Sequence, residues 1–392
     1  MPTDKHIELI DADGHVLETP DAWTARIEPK YRDQAPRIRL INGKDIWFVE
    51  DHPLFEATLE EPAAIGGAAG EDLESLRKKG RRYLQNPAGG FYPDERIKVL
   101  DAEGMARAVL YPTTGLFTNH GRMRDTNLVT AAAHAYNDWI ADYCRAHPSR
   151  LHAAAQAPLH DVEAACTEIR RAVERLGLRA AFTRPAPHVG NRPLNDVVYD
   201  PFWATLQELG VPLALHPGVG EELPSASRFF QIFGERPSQR RPGQGISFSQ
   251  GLGNPMDMIV SLGWLILGGV LERYPRLKVV VLESGGGWAQ PVLERMDHHY
   301  KVFPYELTHL SMKPSDYFKR QVWISFDPDE KMLPITAELL GADRVVWASD
   351  YPHPDAKYPG CGDEVREVLD RLPATARSLI GGDNARALYG LS

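Results

Sequence analysis

The chain is poor in cysteine, in long apolar runs and in positive charge, and each shortage removes a class of function. Its three cysteines, Cys144, Cys166 and Cys361, are far apart, odd in number and free of C-x-x-C spacing. That leaves no basis for a disulfide framework or a structural zinc cluster. No apolar run approaches the ~18 residues of a membrane span; the longest candidate, 258–270, is interrupted by Ser261 and Gly263. The opening residues, MPTDKHIELI, have no long apolar core and no cleavage-site pattern, so a secretory leader is not expected. With 44 Lys+Arg against 53 Asp+Glu the formal charge is −9, which argues against nucleic acid as the main partner. A G-x-G-x-x-G dinucleotide fingerprint is missing as well. The expectation is a soluble, cytoplasmic protein that meets neither nucleic acid nor membrane, takes a small-molecule substrate, and assembles as a homo-oligomer, a dimer.

What is present is a rhythm. Apolar bursts at 7–11, 107–111, 151–155, 178–183, 212–216, 278–282, 322–326 and 344–349 each end in polar or Gly/Pro punctuation. Helical periodicity fills most of the intervals: 127–146 carries Leu128, Ala132, Tyr136, Trp139, Ile140 and Tyr143 at spacings of three and four. The stretches 161–176 and 201–209 close on Gly177 and Gly210, helix stop signals followed directly by a buried strand. Strand–helix alternation implies a parallel sheet, and eight units favour a (β/α)8 TIM barrel spanning residues 1–392 over a doubly wound open sheet. Two excursions interrupt the rhythm. An insertion at about 18–100 contains two apolar runs joined through Asn42-Gly43, a hairpin signal, and a loop at about 217–255 is rich in Gly, Pro, Ser and Arg. Loops of that length are expected to act as lids, with Phe229, Phe230 and Trp47 as walls, although Trp47 equally suits the hairpin's own core.

Chemistry-bearing residues gather where strands end. Strand 1 exits through Asp11-Ala12-Asp13-Gly14-His15 towards Glu18, strand 5 into His216-Pro217-Gly218, strand 6 into Glu283-Ser284-Gly285, and strand 8 into Ser349-Asp350-Tyr351-Pro352-His353. Closure of a barrel brings these four exits to one rim. Asp13 and His15 are two apart and point the same way on an extended segment. Mixed carboxylate and imidazole donors suit a divalent first-row metal. His353 is either a proton donor or a loop residue, and Arg184, past strand 4, either pairs a substrate carboxylate or forms an ion pair on the rim. Trp288 is a further candidate for substrate contact.

Asp13-x-His15, the LALHPG around His216, the LESGGGW at Glu283 and the WASDYPH at Asp350 resemble the amidohydrolase-related branch of the metal-dependent hydrolase superfamily. That branch includes aminocarboxymuconate-semialdehyde decarboxylase and the resorcylate-type decarboxylases, and the likeness runs over about residues 7–390. The resemblance implies that Asp13, His15, His216 and Asp350 bind metal and that Asp350 also exchanges protons; by their own strand-end positions Glu18 and Glu283 are further candidate ligands, and Glu283 and His353 further proton carriers. It implies a divalent ion, zinc first, manganese or iron next, with a second metal left open. The chain departs from the decarboxylases at strand 6, where their catalytic His is replaced by Ser284 preceded by Glu283. For that reason a hydrolase acting on a small organic substrate through a metal-activated water is the leading expectation. A non-oxidative decarboxylase is the first alternative. The second is an oxygenase resembling the dinuclear iron or iron–manganese enzymes of the superfamily.

Overall fold

Each of the eight apolar bursts is a strand in the computed structural model, which describes residues 7–54, 66–118, 123, 125–218 and 246–392. The strands are β1 (Leu9–Val16), β5 (Met105–Pro112), β6 (Leu151–Gln156), β7 (Ala180–Thr183), β8 (Leu213–Leu215), β9 (Val279–Val281), β10 (Val322–Phe326) and β11 (Val345–Trp347). They pair in that order as one parallel sheet, and the segment just past β11 meets β1 through His15 N–H to Tyr351 O at 2.7 Å, giving a nearly closed (β/α)8 barrel. The long helical patterns are the crossovers, among them Thr126–Arg145, Val162–Glu174 and Asp200–Leu209. The first two of these begin at Asp125 and Asp161, whose carboxylates accept from the first-turn N–H groups.

Alternate strand residues fill the interior, as a packed barrel requires. Ala12, Ala154 and Ala214 leave room for the rings of Tyr111 and Phe182, and all five are 0 % exposed. Below them the helix Asn384–Tyr389 sends Leu388 and Tyr389 into the same cluster. The Tyr389 hydroxyl donates to Ala12 O at 3.1 Å and lies 3.0 Å from that of Tyr111.

The sequence pattern places the end of β1 at Asp11, but the strand continues to Val16. It carries a bulge: three steps on β1, Asp11 to Gly14, face two on β5, Ala108 to Leu110. Asp13 and His15 therefore sit on the strand itself. The hairpin joins β2 (Arg37–Ile41) to β3 (Lys44–Val49), with β4 (His52–Pro53) beside them. Its turn residues Asn42 and Gly43 have φ of 49° and 80°, the pair of positive angles that a two-residue turn of this hand needs. Trp47 packs edge-on against Trp23 and Tyr83, each at 5.5 Å, so it belongs to the core around the insertion. The expected lid walls Phe229 and Phe230 lie outside the described residues. Among the described residues no helix is long and apolar enough to cross a membrane.

Candidate metal centre

Five strands converge on one site at the carboxyl ends of the barrel strands. β1 contributes Asp13 and His15; His216 follows β8 directly, Glu283 lies two residues past β9, Asp327 follows β10, and Asp350 lies three past β11. Asp13, His15 and His216 present ligand atoms within 4.8 Å of one another, as do His15, Asp350 and His353, and also Glu283, Asp350 and Asp355. The rim carries strain at two of these positions: Glu283 and Asp350 have φ of 44° and 55°, a region that non-glycine residues rarely occupy.

The donor set fits a cation. His15 Nδ1 lies 2.8 Å from Pro112 O and His216 Nδ1 2.7 Å from Pro217 O. Carbonyls only accept, so each Nδ1 carries the proton and each neutral ring turns the lone pair of Nε2 inward. Those two nitrogens are 3.2 Å apart, with Asp13 Oδ1 3.6 Å from both and Asp350 Oδ1 3.3 Å from His15 Nε2. Two ligands bonded at ~2.1 Å to one ion stand about 3 Å apart. Asp13 Oδ1 is buried with no hydrogen-bond partner among the described residues. Burial raises the pKa of Asp13, and that of Asp350 rises far more, through burial and the neighbouring Asp355 and Glu283. Burial, with His353 and His216 beside it, lowers that of His15 well below the ordinary imidazole range. Lone pairs and negative charge thus crowd a small, largely buried volume, and a divalent ion would relieve all of them at once. A metal held there would rest on Asp13, His15, His216 and Asp350.

Beside the cluster opens a cavity of about 110 Å³, walled by Asp13, Glu283, Asp327, Asp350, Asp355 and Lys357 among others. Glu283 Oε2 lies 3.4 Å from His216 Nδ1, and burial together with Asp355, Asp13 and Asp327 pushes the pKa of Glu283 well above the carboxylate range. His353 bridges Asp350 Oδ1 at 2.8 Å and the Thr113 hydroxyl at 2.9 Å, and its ring lies 4.0 Å from that of His15. Burial lowers its pKa to about 4.

Three expected site residues sit elsewhere. Glu18 is fully buried, but its carboxylate accepts backbone N–H groups from Thr113 (3.2 Å), Thr114 (2.9 Å) and Gly115 (2.8 Å), and no candidate ligand group contains it. Three fixed donors hold its oxygens, and it anchors the β5 exit that carries Thr113. Glu18→Gln turns one acceptor into a donor facing N–H groups, an expected loss of about 1–3 kcal/mol. Thermal melting should register that loss while metal content stays full; a variant depleted in metal would restore Glu18 to the ligand set. Trp288 spends its indole N–H on Ser284 O at 3.1 Å, and Arg184 is buried past β7; neither lines the cavity. Asp327 and Asp355 were not among the candidates. The strand-end rule applied to Phe326-Asp327 finds the first, whereas nothing local marks the second.

The family described as Amidohydrolase matches residues 10–391. Among curated proteins, a gamma-resorcylate decarboxylase of Polaromonas sp. is 26% identical over 365 residues, covering 90% of this chain and 100% of that protein. Among solved structures, an amidohydrolase from Mycobacterium avium subsp. paratuberculosis covers 99% of both chains with a TM-score of 0.79 at 23% identity. A dihydroxybenzoic acid decarboxylase from Polaromonas sp., solved with bound manganese and 2-nitroresorcinol, has a TM-score of 0.66 at 19% identity, covering 98% of this chain and 97% of its own. Both structural likenesses are likenesses of fold.

Proposed function

The chain belongs to the amidohydrolase family, and we propose that this enzyme is a metal-dependent, non-oxidative carboxy-lyase acting on a small carboxylated aromatic acid. The observation that carries the reading is the match to a decarboxylase over that protein's whole length. Hydrolysis, the leading expectation from the sequence, has the weaker support.

A bound divalent ion would supply positive charge that orients the substrate and stabilises charge built on it. Manganese is the first choice to test, because the dihydroxybenzoic acid decarboxylase was solved with it. In the reaction the C–CO2 bond breaks, its electron pair stays on the ring carbon, and a proton must reach that carbon. Asp350 and His353, 2.8 Å apart, would pass that proton, with Thr113 bonded to the far nitrogen of the imidazole. Glu283 stands on the cavity wall beside the Ser284 that replaces the strand-6 His, so it takes part in holding the proton or the substrate there. Manganese-loaded protein given gamma-resorcylate and related hydroxybenzoates should release CO2. Chelation should abolish the release, and added Mn2+ restore it. Hydrolysis of esters or amides with no CO2 from any carboxylated phenol would overturn the proposal.

A second reading, an oxygen-activating dinuclear enzyme, draws on the carboxylate trio Glu283, Asp350 and Asp355, which shares Asp350 with the imidazole-rich group. Two metal equivalents including iron, with consumption of O2, would select it.

A further inference from the structure

Strand pairing runs from β1 to β11 and, among the described residues, no ladder joins β11 back to β1. This seam is where the candidate ligands are split, with Asp13 and His15 on one side and Asp350 on the other. Two backbone bonds cross it, His15 N–H to Tyr351 O at 2.7 Å and Asp350 N–H to Asp13 O at 3.1 Å, and buried side chains brace them. Asp11, 0 % exposed, accepts from Ser349 N at 3.0 Å through Oδ1 and from the Ser349 hydroxyl at 2.6 Å through Oδ2. Arg96, also 0 % exposed, reaches in from the helix Pro93–Ala102 and donates through Nη1 to His15 O at 2.9 Å and Tyr351 O at 3.3 Å. Its guanidinium lies 4.6 Å from the centre of the Tyr351 ring. One carbonyl belongs to a candidate ligand and the other to the residue after one. A single fork of donors therefore spans the seam at the height of the metal centre.

Burying this arginine is costly: Nε and Nη2 have no hydrogen-bond partner among the described residues. Its compensating charge is Asp11, across Gly14. A Cβ on Gly14 would fall 2.5 Å from Arg96 Nη2 and 2.6 Å from Asp11 Oδ2, so only glycine lets both groups close on the strand here. An apolar side chain would fill the space as well, but would not hold two carbonyls in register.

We propose that Arg96 and Asp11 are positioning residues for the metal centre: by bracing the backbone bonds that cross the seam they hold Asp350 against Asp13 and His15. The inference rests on the ion lying among Asp13, His15, His216 and Asp350.

The experiment compares wild type with Arg96→Lys, Arg96→Met, Asp11→Asn and Ser349→Ala. It reads Mn2+ affinity by titration, the visible bands of the Co2+-substituted protein, and the melting temperature of the metal-free form. Arg171→Lys is the control, because Arg171 pairs with Glu168 and Asp138 in the outer helices. The seam variants should lose about 10–100-fold in Mn2+ affinity, the range for partners that orient a metal's ligands, and should shift the Co2+ bands. Arg171→Lys should lower the melting temperature with affinity and bands unchanged. Seam variants with wild-type affinity and wild-type bands would overturn the inference and leave Arg96 a staple of stability alone. If the Arg96 variants fail to fold, Asp11→Asn and Ser349→Ala decide the question with the guanidinium still in place. A wild-type protein that binds no divalent ion would instead bring down the functional reading.

Discussion

Asp13→Asn should strip the divalent ion from the enzyme and, in the same protein, leave the metal-free fold at least as stable as wild type. The two effects share one cause. Asp13 is 1 % exposed, its Oδ1 lacks a hydrogen-bond partner among the described residues, and the Nε2 atoms of His15 and His216 turn lone pairs towards it. Without a cation, an ionised carboxylate there is a buried charge that only the His216 ring helps to offset. Asparagine keeps the shape and removes the charge, so the metal-free protein is relieved. With a cation, the same carboxylate is a ligand, and its loss should lower affinity by more than the ~100-fold that marks the upper range for an orienting partner. Since an ion that binds only the folded state stabilises it by mass action, the order of melting temperatures should invert on adding Mn2+. Elemental analysis and paired melts, with and without metal, give both readings. An Asn variant that retains its metal would remove Asp13 from the site.

Glu283→Gln should cut turnover by at least ~100-fold, on the scale of losing a catalytic acid or base. Glu283 lies past β9 with its backbone at φ 44°, its Oε2 buried beside His216 Nδ1, and Gln250 as a long 3.5 Å donor to Oε1. A conformation that costs roughly 1–3 kcal/mol is retained to hold a carboxylate at the cavity wall. Glutamine preserves the outline, so lost activity reports charge or proton rather than packing. Full metal with lost turnover assigns Glu283 to proton transfer or to orienting His216; loss of one of two metal equivalents assigns it to the dinuclear arrangement. Wild-type turnover with full metal would make Glu283 structural.

The eight strands were legible because each is a short apolar burst cut off by Gly, Pro or a polar pair, and buried parallel strands have that pattern. β1 was misjudged most in length, running to Val16 where its burst ends at Asp11. Asp11 and Asp13 look like an exit, yet Asp11 is buried by bonding Ser349 and Asp13 by facing the imidazoles. The site's imidazoles and Asp350 were legible from strand-end position. Glu18 was not, since a carboxylate that receives backbone N–H groups has the same local sequence as one that receives a metal. Arg96 was invisible for a related reason. On a polar helix it reads as a surface charge, and its partners, His15 O and Tyr351 O, lie 81 and 255 residues away.

That separation in sequence also governs the order in which the molecule assembles. The Tyr389 hydroxyl meets Ala12 O across 377 residues, and Asp11 meets Ser349 across 338. Such contacts contribute nothing until the intervening chain is in place, and bringing their ends together carries a loop-closure cost that grows with the length between them. β1 is made before the other barrel strands, with Ile10 and Ala12 exposed on what becomes the barrel's inner face until the helix Asn384–Tyr389 covers them. The barrel is therefore completed only once the helix Asn384–Tyr389 has docked, and in refolding the recovery of metal binding should coincide with the slowest phase.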